Sequence, residues 1–328
     1  MKVCLSTAKK SKVELVARSE DGYSPEEEKY YIYVTGGRLR GRTLGSVERY
    51  GLKSNMWEAC PTLRENRGSH GAATIGNRIF VIGGGGFDTN LASCEALDVN
   101  TNEWQFVKPT VIYRHALALV STNFIDPHTS IASPSIYALG GWIDGKICSG
   151  DVERYDAASD TWSTCASLLV PRRLFGATAF GDRIYAFGGN CDDGVWYTAA
   201  AERYDPHNNQ WERLPDLPYP GPTSCATVGD FIYIFLHGKW VYRFDPATND
   251  YTKCCPSLPL LNWYSFDVCV CGFYIFVVGG ANDGVWSRAL FRFDTRTNEW
   301  KRLPDMIQQR RRCAATIVHI DKESAAES

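Results

Sequence analysis

The sequence predicts an all-β repeat protein whose units are the blades of a propeller. Two adjacent glycines, preceded by a short apolar segment, recur along the 328 residues at a period of about 48. In most copies a tryptophan follows the glycine pair by about twenty residues. A period of roughly 40 to 50 residues with strand-like content is typical of propeller blades.

Each repeat divides into four predicted strands. The strand before the glycine pair is rich in Ile, Val, Tyr and Phe, as expected of a buried strand. Glycine suits the crowded end of such a strand because it tolerates positive φ and close approach of other backbones. The six copies read IYVTGG (32–37), IFVIGG (79–84), IYALGG (136–141), IYAFGG (184–189), a degenerate IYIFLHG (232–238) and IFVVGG (275–280).

The third and fourth strands of every copy are separated by one fixed interval. Seven residues lead from an apolar residue in the third strand to the aromatic residue in the fourth, as from Tyr155 to Trp162. The residues between them, such as DAASDT and DPHNNQ, are turn formers. The interval therefore predicts six tight hairpins with the same register. Their aromatic residues, predicted to lie in the core, are Trp57, Trp104, Trp162, Trp211, Tyr251 and Trp300.

The innermost strand of each blade is predicted from its small residues, as in GAATI at 71–75 and GATAF at 176–180. Small side chains are expected where strands crowd around the central channel of a propeller. The first copy has no such strand directly before it, whereas the last copy ends with a surplus AATI at 314–317. We therefore expect the C-terminal strand to close the ring by completing the first blade. The alternative donor is VELVAR at 13–18, which is more charged and lies far upstream.

The order of small-residue strand, Ile-Tyr-x-x-Gly-Gly, Val-Glu-Arg-Tyr-Asp, six-residue turn and Trp resembles the kelch repeat. The resemblance extends over residues 30–320 and rests on four features that recur at fixed spacing. It implies an all-β, six-bladed kelch β-propeller with four antiparallel strands per blade. Residues 1–29 and 321–328 lie outside the repeats and are predicted to be tails or linkers.

Composition excludes some classes of protein and favours others. The net charge of −2 provides no global field for nucleic acid or membranes. The twelve cysteines are scattered and lack a CxxC motif, which favours reduced thiols over a disulfide framework. No apolar stretch is long enough for a membrane span or signal peptide, so we expect a cytoplasmic protein, with the nucleus as an alternative. An insertion at 121–135 is predicted to be a surface loop of unassigned role.

A search for catalytic chemistry gives no positive result. The six histidines do not pair with Cys, Asp or Glu at the spacing of metal ligands, and no nucleophile motif or phosphate-binding loop is present. The GGGG run at 83–86 extends a repeat glycine pair, and no predicted helix follows it. We therefore predict no enzymatic activity, no metal and no cofactor, while a kelch-fold enzyme acting on sugars or using a metal is the alternative from a different class.

The resemblance to kelch-like adaptors implies that partners bind one face of the ring. That face is formed by residues after the glycine pairs and by residues that enter the innermost strands. The candidate partner-binding residues are Arg38, Arg67, Ser69, His70, Tyr113, Arg114, His115, Trp142, Arg172, Arg173, Asn190, Trp196, Lys239, Trp240, Trp263, Tyr264, Asn282, Trp286, Arg310 and Arg311.

Arginine and aromatic residues often anchor interfaces, and guanidinium groups suit carboxylates and phosphates. We therefore predict an interaction scaffold that binds an acidic or phosphorylated segment of a protein partner. The alternative for each arginine is a structural pair with an acid of the blades such as Glu48, Glu153 or Glu202. The resemblance also implies a substrate-recognition role for a cullin-type ubiquitin ligase, and an actin-binding kelch protein is the second binding alternative.

Overall fold

The computed structural model describes residues 30–85, 89–122, 134–143, 147–191, 196–238, 240–254, 258–260 and 262–320. The predicted tails and most of the insertion at 121–135 lie outside these residues. The described residues contain strands and turns but no helix, so the prediction of an all-β chain is confirmed. No helix in this part of the chain is long and apolar enough to cross a membrane.

Twenty-four strands form six antiparallel four-stranded units, named here sheets 1 to 6. From the innermost strand outward, sheet 1 contains Ala314–His319, Tyr30–Thr35, Val47–Gly51 and Met56–Cys60. Sheet 2 contains Gly71–Ile75, Arg78–Ile82, Cys94–Asp98 and Glu103–Val107, and sheet 3 contains Ala118–Thr122, Ser135–Leu139, Val152–Asp156 and Thr161–Cys165. Sheet 4 contains Gly176–Phe180, Arg183–Phe187, Ala201–Asp205 and Gln210–Leu214.

Sheets 5 and 6 have the same strand order. Sheet 5 contains Thr223–Val228, Phe231–Leu236, Val241–Asp245 and Asp250–Lys253. Sheet 6 contains Trp263–Cys271, Tyr274–Asn282, Leu290–Asp294 and Glu299–Leu303, with the short strand Val285–Trp286 added to its second strand. The other short strands are Arg38–Leu39, Arg42–Thr43, Arg114–His115, Trp142–Ile143, Ile147–Cys148, Asn190–Cys191 and Trp196–Tyr197.

The outer hairpins have the register that the seven-residue interval predicts. In sheet 3, for example, Tyr155 lies opposite Trp162, and the two rings are 5.1 Å apart between centroids. The Trp162 indole donates a hydrogen bond of 2.8 Å to the carbonyl oxygen of Lys108 in the preceding unit. In sheet 5 the Tyr251 hydroxyl replaces an indole and donates to the carbonyl of Pro215 at 2.7 Å. In both sheets the aromatic residue of the fourth strand thus donates a hydrogen bond to the backbone of the preceding sheet.

The core consists of six buried apolar clusters, each formed by two consecutive sheets. Sheets 3 and 4, for example, meet through Tyr137 and Leu139 on one side and Ile184 and Ala186 on the other. Sheets 6 and 1 meet in the same way through Phe276 and Val278 against Ile32 and Val34. Burial of apolar surface is the main stabilising contribution at these contacts. The contact between sheets 6 and 1 extends this core to residues near both ends of the described chain.

The C-terminal strand pairs with the first strand of the described chain. Residues 314–319 run antiparallel to 30–35, with Ala314 opposite Thr35 and His319 opposite Tyr30. The innermost strand of sheet 1 therefore comes from the end of the chain, as the surplus AATI predicts. Each innermost strand also contacts those of the sheets before and after it, including that of sheet 6 against that of sheet 1.

Backbone hydrogen bonds connect the starts of the innermost strands around the channel. Five successive N–H groups donate to the carbonyl of the preceding sheet's equivalent residue, at 2.7 to 3.3 Å: Arg312 to Ser265, Ser69 to Arg312, Ala116 to Ser69, Leu174 to Ala116, and Thr223 to Leu174. These bonds satisfy backbone groups that the sheets themselves leave unpaired.

His237, from the degenerate LHG copy, connects the remaining pair, sheets 5 and 6. Its Nε2 lies 3.0 Å from the Ser224 hydroxyl, and its Nδ1 accepts a hydrogen bond of 3.4 Å from the N–H of Ser265. The acceptor role at Nδ1 requires the neutral ring, with its proton on Nε2. Burial lowers the pKa of His237 to about 3, so the ring stays neutral at physiological pH. The departure from the Gly-Gly pattern thus has a structural reason.

We expect His237→Gln to destabilise the protein by about 1–2 kcal/mol at pH 7.5, because the link between sheets 5 and 6 is weakened. The folded-state pKa lies below the unfolded value of about 6.5. The contribution of His237 is therefore complete above pH 6.5 and is lost as the pH falls toward 3. Thermal melts at pH 7.5 and pH 5 should show a smaller gap between wild type and variant at pH 5. A gap that does not change with pH would contradict this role.

Candidate partner-binding face

At one end of the sheets, named here the glycine-pair face, the second strands end and the third and innermost strands begin. Its loops are those that follow the glycine pairs and those that lead into the innermost strands. Positive φ is required at the pairs, where Gly140 has a φ of 54° and Gly141 one of 104°. A Cβ on Gly140 would approach the Arg172 carbonyl oxygen to 2.6 Å, so the next loop packs directly on the glycine pair. Each pair therefore holds an incoming loop in place.

Four arginines in these incoming loops are buried and form ion pairs with four buried glutamates. Arg67, Arg114, Arg172 and Arg310 have no exposed surface. They pair with Glu95, Glu153, Glu202 and Glu48, respectively, each in the third strand of the sheet that the loop enters. The opposite end of each guanidinium donates to the first glycine carbonyl of that sheet, for example from Arg172 to Gly188 at 3.1 Å.

The glutamates are bonded beyond the ion pair. The Glu202 carboxylate also accepts hydrogen bonds from the N–H groups of Leu169 and Val170, at 2.8 and 3.0 Å. The Arg172 guanidinium donates in addition to the carbonyl of Ala200. A buried ion pair is tolerated when such bonds satisfy the remaining donors and acceptors. The unit fixes the loop, the glycine pair and the third strand relative to one another.

Sheets 5 and 6 replace this ionic unit with apolar residues. In sheet 6, Trp263 stands at the arginine position, and its indole donates to the Gly279 carbonyl at 2.8 Å. Phe291 stands at the glutamate position, with its ring 5.5 Å from that of Trp263. In sheet 5 the corresponding residues are Gly221 and Tyr242. Arginine and glutamate are thus lost together, which is expected because either one alone would be a buried unpaired charge.

The structure corrects nine of the predicted contact residues, which are buried and not part of an accessible surface. The four arginines are structural ion-pair residues, which is the alternative stated above for Glu48, Glu153 and Glu202. Trp263 is buried in the core between sheets 5 and 6. His70 and Asn190 are buried too, and bond Thr35 and Arg173. The full set is Arg38, Arg67, Ser69, His70, Arg114, Arg172, Asn190, Trp263 and Arg310.

Ten predicted residues are exposed or half-buried on the glycine-pair face. Tyr113 and Trp196 are 56% and 71% exposed. The half-buried ones are His115, Trp142, Arg173, Trp240, Tyr264, Asn282, Trp286 and Arg311. Lys239, the last of the predicted set, lies outside the described residues. Whether these residues bind a partner stays a prediction.

The same face carries exposed apolar side chains that the sequence analysis did not single out. Among the described residues, Val111, Ile147, Leu169, Tyr197, Tyr219, Val285 and Ile307 are all at least 49% exposed and lie in its loops. On the opposite face the comparable residues among those described are Met56 and Phe273, which are 62% and 53% exposed. Their signal in the sequence was a large apolar residue at a loop position where no strand pattern requires one. Concentration of apolar surface on one face marks an interaction site.

The innermost strands surround a channel with a volume of about 860 Å³. At its mouth on the glycine-pair face stands Arg312, half-buried, with a φ of 54°. Burial and the nearby charges of Arg38, Arg311 and Arg173 lower the pKa of Arg312 to about 10. The mouth is therefore a site of positive charge.

The described residues contain no cluster of three or more His, Cys, Asp or Glu side chains that would suit a metal ion. Asp267 lines the channel and accepts hydrogen bonds from the N–H groups of Val268 and Ala315. Burial raises its pKa to about 6. The ten cysteines in this part of the chain are free thiols, as predicted from their scatter.

The family model described as "KLHDC2/KLHL20/DRC7 Kelch-repeats domain" matches residues 14–189, more than half of the chain. The chain belongs to the kelch-repeat family. A second model, the Kelch motif, matches residues 171–218 and 263–307 of this kelch chain. The interval between those two matches contains the degenerate copy and His237.

Several curated kelch-like proteins are similar to the chain. Kelch-like protein 26 of Danio rerio is 29% identical over 197 residues, which is 58% of this chain and 30% of that protein. Kelch-like protein 35 of Mus musculus is 29% identical over 60% of this chain and 32% of its own length. For Kelch-like protein 25 of Xenopus tropicalis the values are 28%, 55% and 33%. The chain thus aligns with about a third of the length of these relatives.

Proposed function

We infer that the six sheets are the blades of one closed, six-bladed propeller, with the C-terminal strand completing the first blade. Three observations support this inference: the pairing of 314–319 with 30–35, the cyclic order of the six core clusters, and the contact between the innermost strands of sheets 6 and 1. A closed ring has no exposed sheet edge at its innermost strands. It also presents the loops of one face as a single surface around the channel.

We propose that this chain is a protein-interaction module that binds an acidic segment of a partner protein on the glycine-pair face. The observation that carries the proposal is the concentration of exposed apolar residues on that face around an arginine-rich channel mouth. Aromatic residues and arginines at the centre of a face supply most of the binding free energy in protein interfaces. We also propose that the module has no enzymatic activity.

The kelch-like relatives suggest a more specific role. We propose that the module presents its partner as a substrate to a cullin-type ubiquitin ligase, and that it acts in the cytoplasm. Cullin co-purifying with the full chain, and partner levels that rise when the chain is depleted, would support this role. If actin filaments pull down the chain while cullin does not, the cytoskeletal alternative takes its place.

Partner binding can be tested by proximity labelling in cells followed by mass spectrometry. We expect Trp196→Ala combined with Tyr113→Ala to reduce the recovery of specific partners at least tenfold, because both side chains are exposed on the binding face. Phe273→Ala is the control, since Phe273 is an aromatic residue that is 53% exposed on the opposite face. Thermal melts should show all variants folded. Unchanged labelling by the double variant, or loss only with Phe273→Ala, would refute the proposed face.

A further inference from the structure

The loop after the first glycine pair is a short hairpin with an arginine at its tip. Arg38–Leu39 pairs with Arg42–Thr43, and the turn between them consists of Arg40 and Gly41. Both turn residues have positive φ, 47° and 81°, as a type I′ turn requires. Glycine or asparagine adopts this conformation with less strain than arginine. Arg40 is nevertheless present and exposed to solvent, which indicates a role for its charge outside the fold.

The sequence of this hairpin places arginines at regular intervals before a threonine. Arg38, Arg40 and Arg42 stand five, three and one residues before Thr43. No other serine or threonine of the chain has an arginine at both the third and the fifth preceding position. Arginine-directed protein kinases choose their substrates by such fixed charge patterns, because acidic side chains beside the kinase cleft bind the guanidinium groups.

The hairpin is accessible to a kinase cleft. Arg40 and Arg42 are exposed, and Thr43 is half-buried beside them. A Cβ added to Gly41 would meet no other atom within 4 Å, so the tip projects into open space. Each strand contains two residues, and opening so short a ladder costs little compared with unfolding one of the six sheets. Such opening would also release Arg38, which is buried in the folded hairpin.

We propose that Thr43 is a phosphorylation site for an arginine-directed serine/threonine kinase. The Thr43 Oγ1 attacks the γ-phosphorus of ATP and forms a new O–P bond. The bond between that phosphorus and the β–γ bridging oxygen breaks, and ADP leaves. The hydroxyl proton passes to the catalytic base of the kinase. The phosphothreonine carries a charge of about −1.5 to −2 at pH 7.

The phosphate stands beside arginines of the channel mouth. Thr43 lies opposite Arg38 in the hairpin, and the Cβ atoms of such cross-strand pairs are about 4.5–5.5 Å apart. The Arg38 N–H in turn donates to the Arg311 carbonyl at 2.8 Å, so Arg311 lies next to the same hairpin. A phosphate at Thr43 is expected to pair with these guanidinium groups. Phosphorylation therefore reduces the positive charge of the mouth and weakens partner binding on the glycine-pair face, a consequence that rests on the proposed function.

The test incubates the full chain with ATP, Mg²⁺ and a kinase that selects arginine three and five residues before its acceptor. Mass spectrometry of peptides then locates the phosphate. We expect Thr43 to be the main site, and Thr43→Val to abolish its phosphate. Arg40→Gly should slow transfer to Thr43 about tenfold or more, because the arginine three residues before the acceptor is lost. Thr297→Ala is the control, since Thr297 is exposed and follows an arginine but has Asp294 at its third preceding position.

The variant Arg40→Gly also separates recognition from folding. Glycine adopts the left-handed conformation of this turn position without strain, so the variant should melt close to the wild-type temperature. Phosphate found only on other residues would overturn the assignment of Thr43. Transfer to Thr43 that is as fast in Arg40→Gly as in wild type would overturn it as well.

The effect on binding is measured with a partner identified by the labelling experiment. The chain phosphorylated on Thr43 should bind that partner about tenfold more weakly than the untreated chain, and kinase treatment of Thr43→Val should change nothing. Equal affinity of the phosphorylated and untreated chains would overturn the effect on binding and leave the proposed face intact. If Trp196→Ala combined with Tyr113→Ala leaves labelling unchanged, the proposed face fails, while the mass measurement still decides whether Thr43 is a phosphorylation site.

Discussion

Truncation after Arg312 is expected to unfold the protein. It removes the strand Ala314–His319, which pairs along its whole length with Tyr30–Thr35. The second strand of sheet 1 would become an unpaired edge, and buried contacts of Ala315 and Val318 with two core clusters would be lost. A loss of this size is comparable to the whole stability of a domain, about 5 kcal/mol or more. Circular dichroism and a thermal melt should show no cooperative folded state, or aggregation.

A second truncation provides the control. Ending the chain at Ile320 removes only residues 321–328 and keeps the whole C-terminal strand. That variant should melt at the wild-type temperature. A synthetic peptide of residues 313–320 added to the longer truncation should bind and restore part of the cooperative melt, because it can supply the missing strand. If the chain truncated after Arg312 melts like wild type without the peptide, the closure of the ring by this strand is wrong.

The repeat features of the sequence predict the sheets closely because they depend on local physical constraints. The seven-residue interval fixes a hairpin whose turn ends in a left-handed residue, such as Asn102 with a φ of 59° or Asn209 with a φ of 50°. Asparagine adopts this conformation more readily than most residues. The small-residue strand at 314–317 was recognisable for the same reason, since five other copies supply its template.

The candidate site was harder to predict, because burial decides the role of an arginine and the sequence does not state burial. Arg172 and Arg173 are neighbours in a loop, yet Arg172 is a buried ion-pair residue and Arg173 is half-buried at the channel mouth. The feature that distinguishes Arg172 is its ion pair with Glu202, which lies thirty residues further along the chain. A signal was nevertheless present. In sheets 1 to 4 the arginine occurs with a glutamate in the third strand, and in sheets 5 and 6 both are absent.

The covariation of arginine and glutamate leads to the second prediction, which concerns the buried pair of sheet 4. We expect Arg172→Met to destabilise the protein by about 3–5 kcal/mol, because it leaves the Glu202 carboxylate buried without its counter-ion. Glu202→Leu should cost at least as much, since the N–H groups of Leu169 and Val170 lose their acceptor as well. Chemical denaturation of both variants would measure these losses.

The double variant Arg172→Met with Glu202→Leu should cost clearly less than the sum of the two single changes, because no unpaired charge remains. It will not regain wild-type stability, since the Gly188 carbonyl and the N–H groups of Leu169 and Val170 lose the partners that Arg172 and Glu202 supplied. Arg203→Met is the matched control, because Arg203 lies next to Glu202 in the third strand of sheet 4. Arg203 forms a partly exposed pair with Glu212, which is expected to contribute only about 0–1 kcal/mol. If Arg172→Met costs no more than Arg203→Met, the buried pairs do not hold the incoming loops in place. In that case the replacement of arginine and glutamate by Trp263 and Phe291 in sheet 6 could not be explained by the cost of leaving one buried charge unpaired.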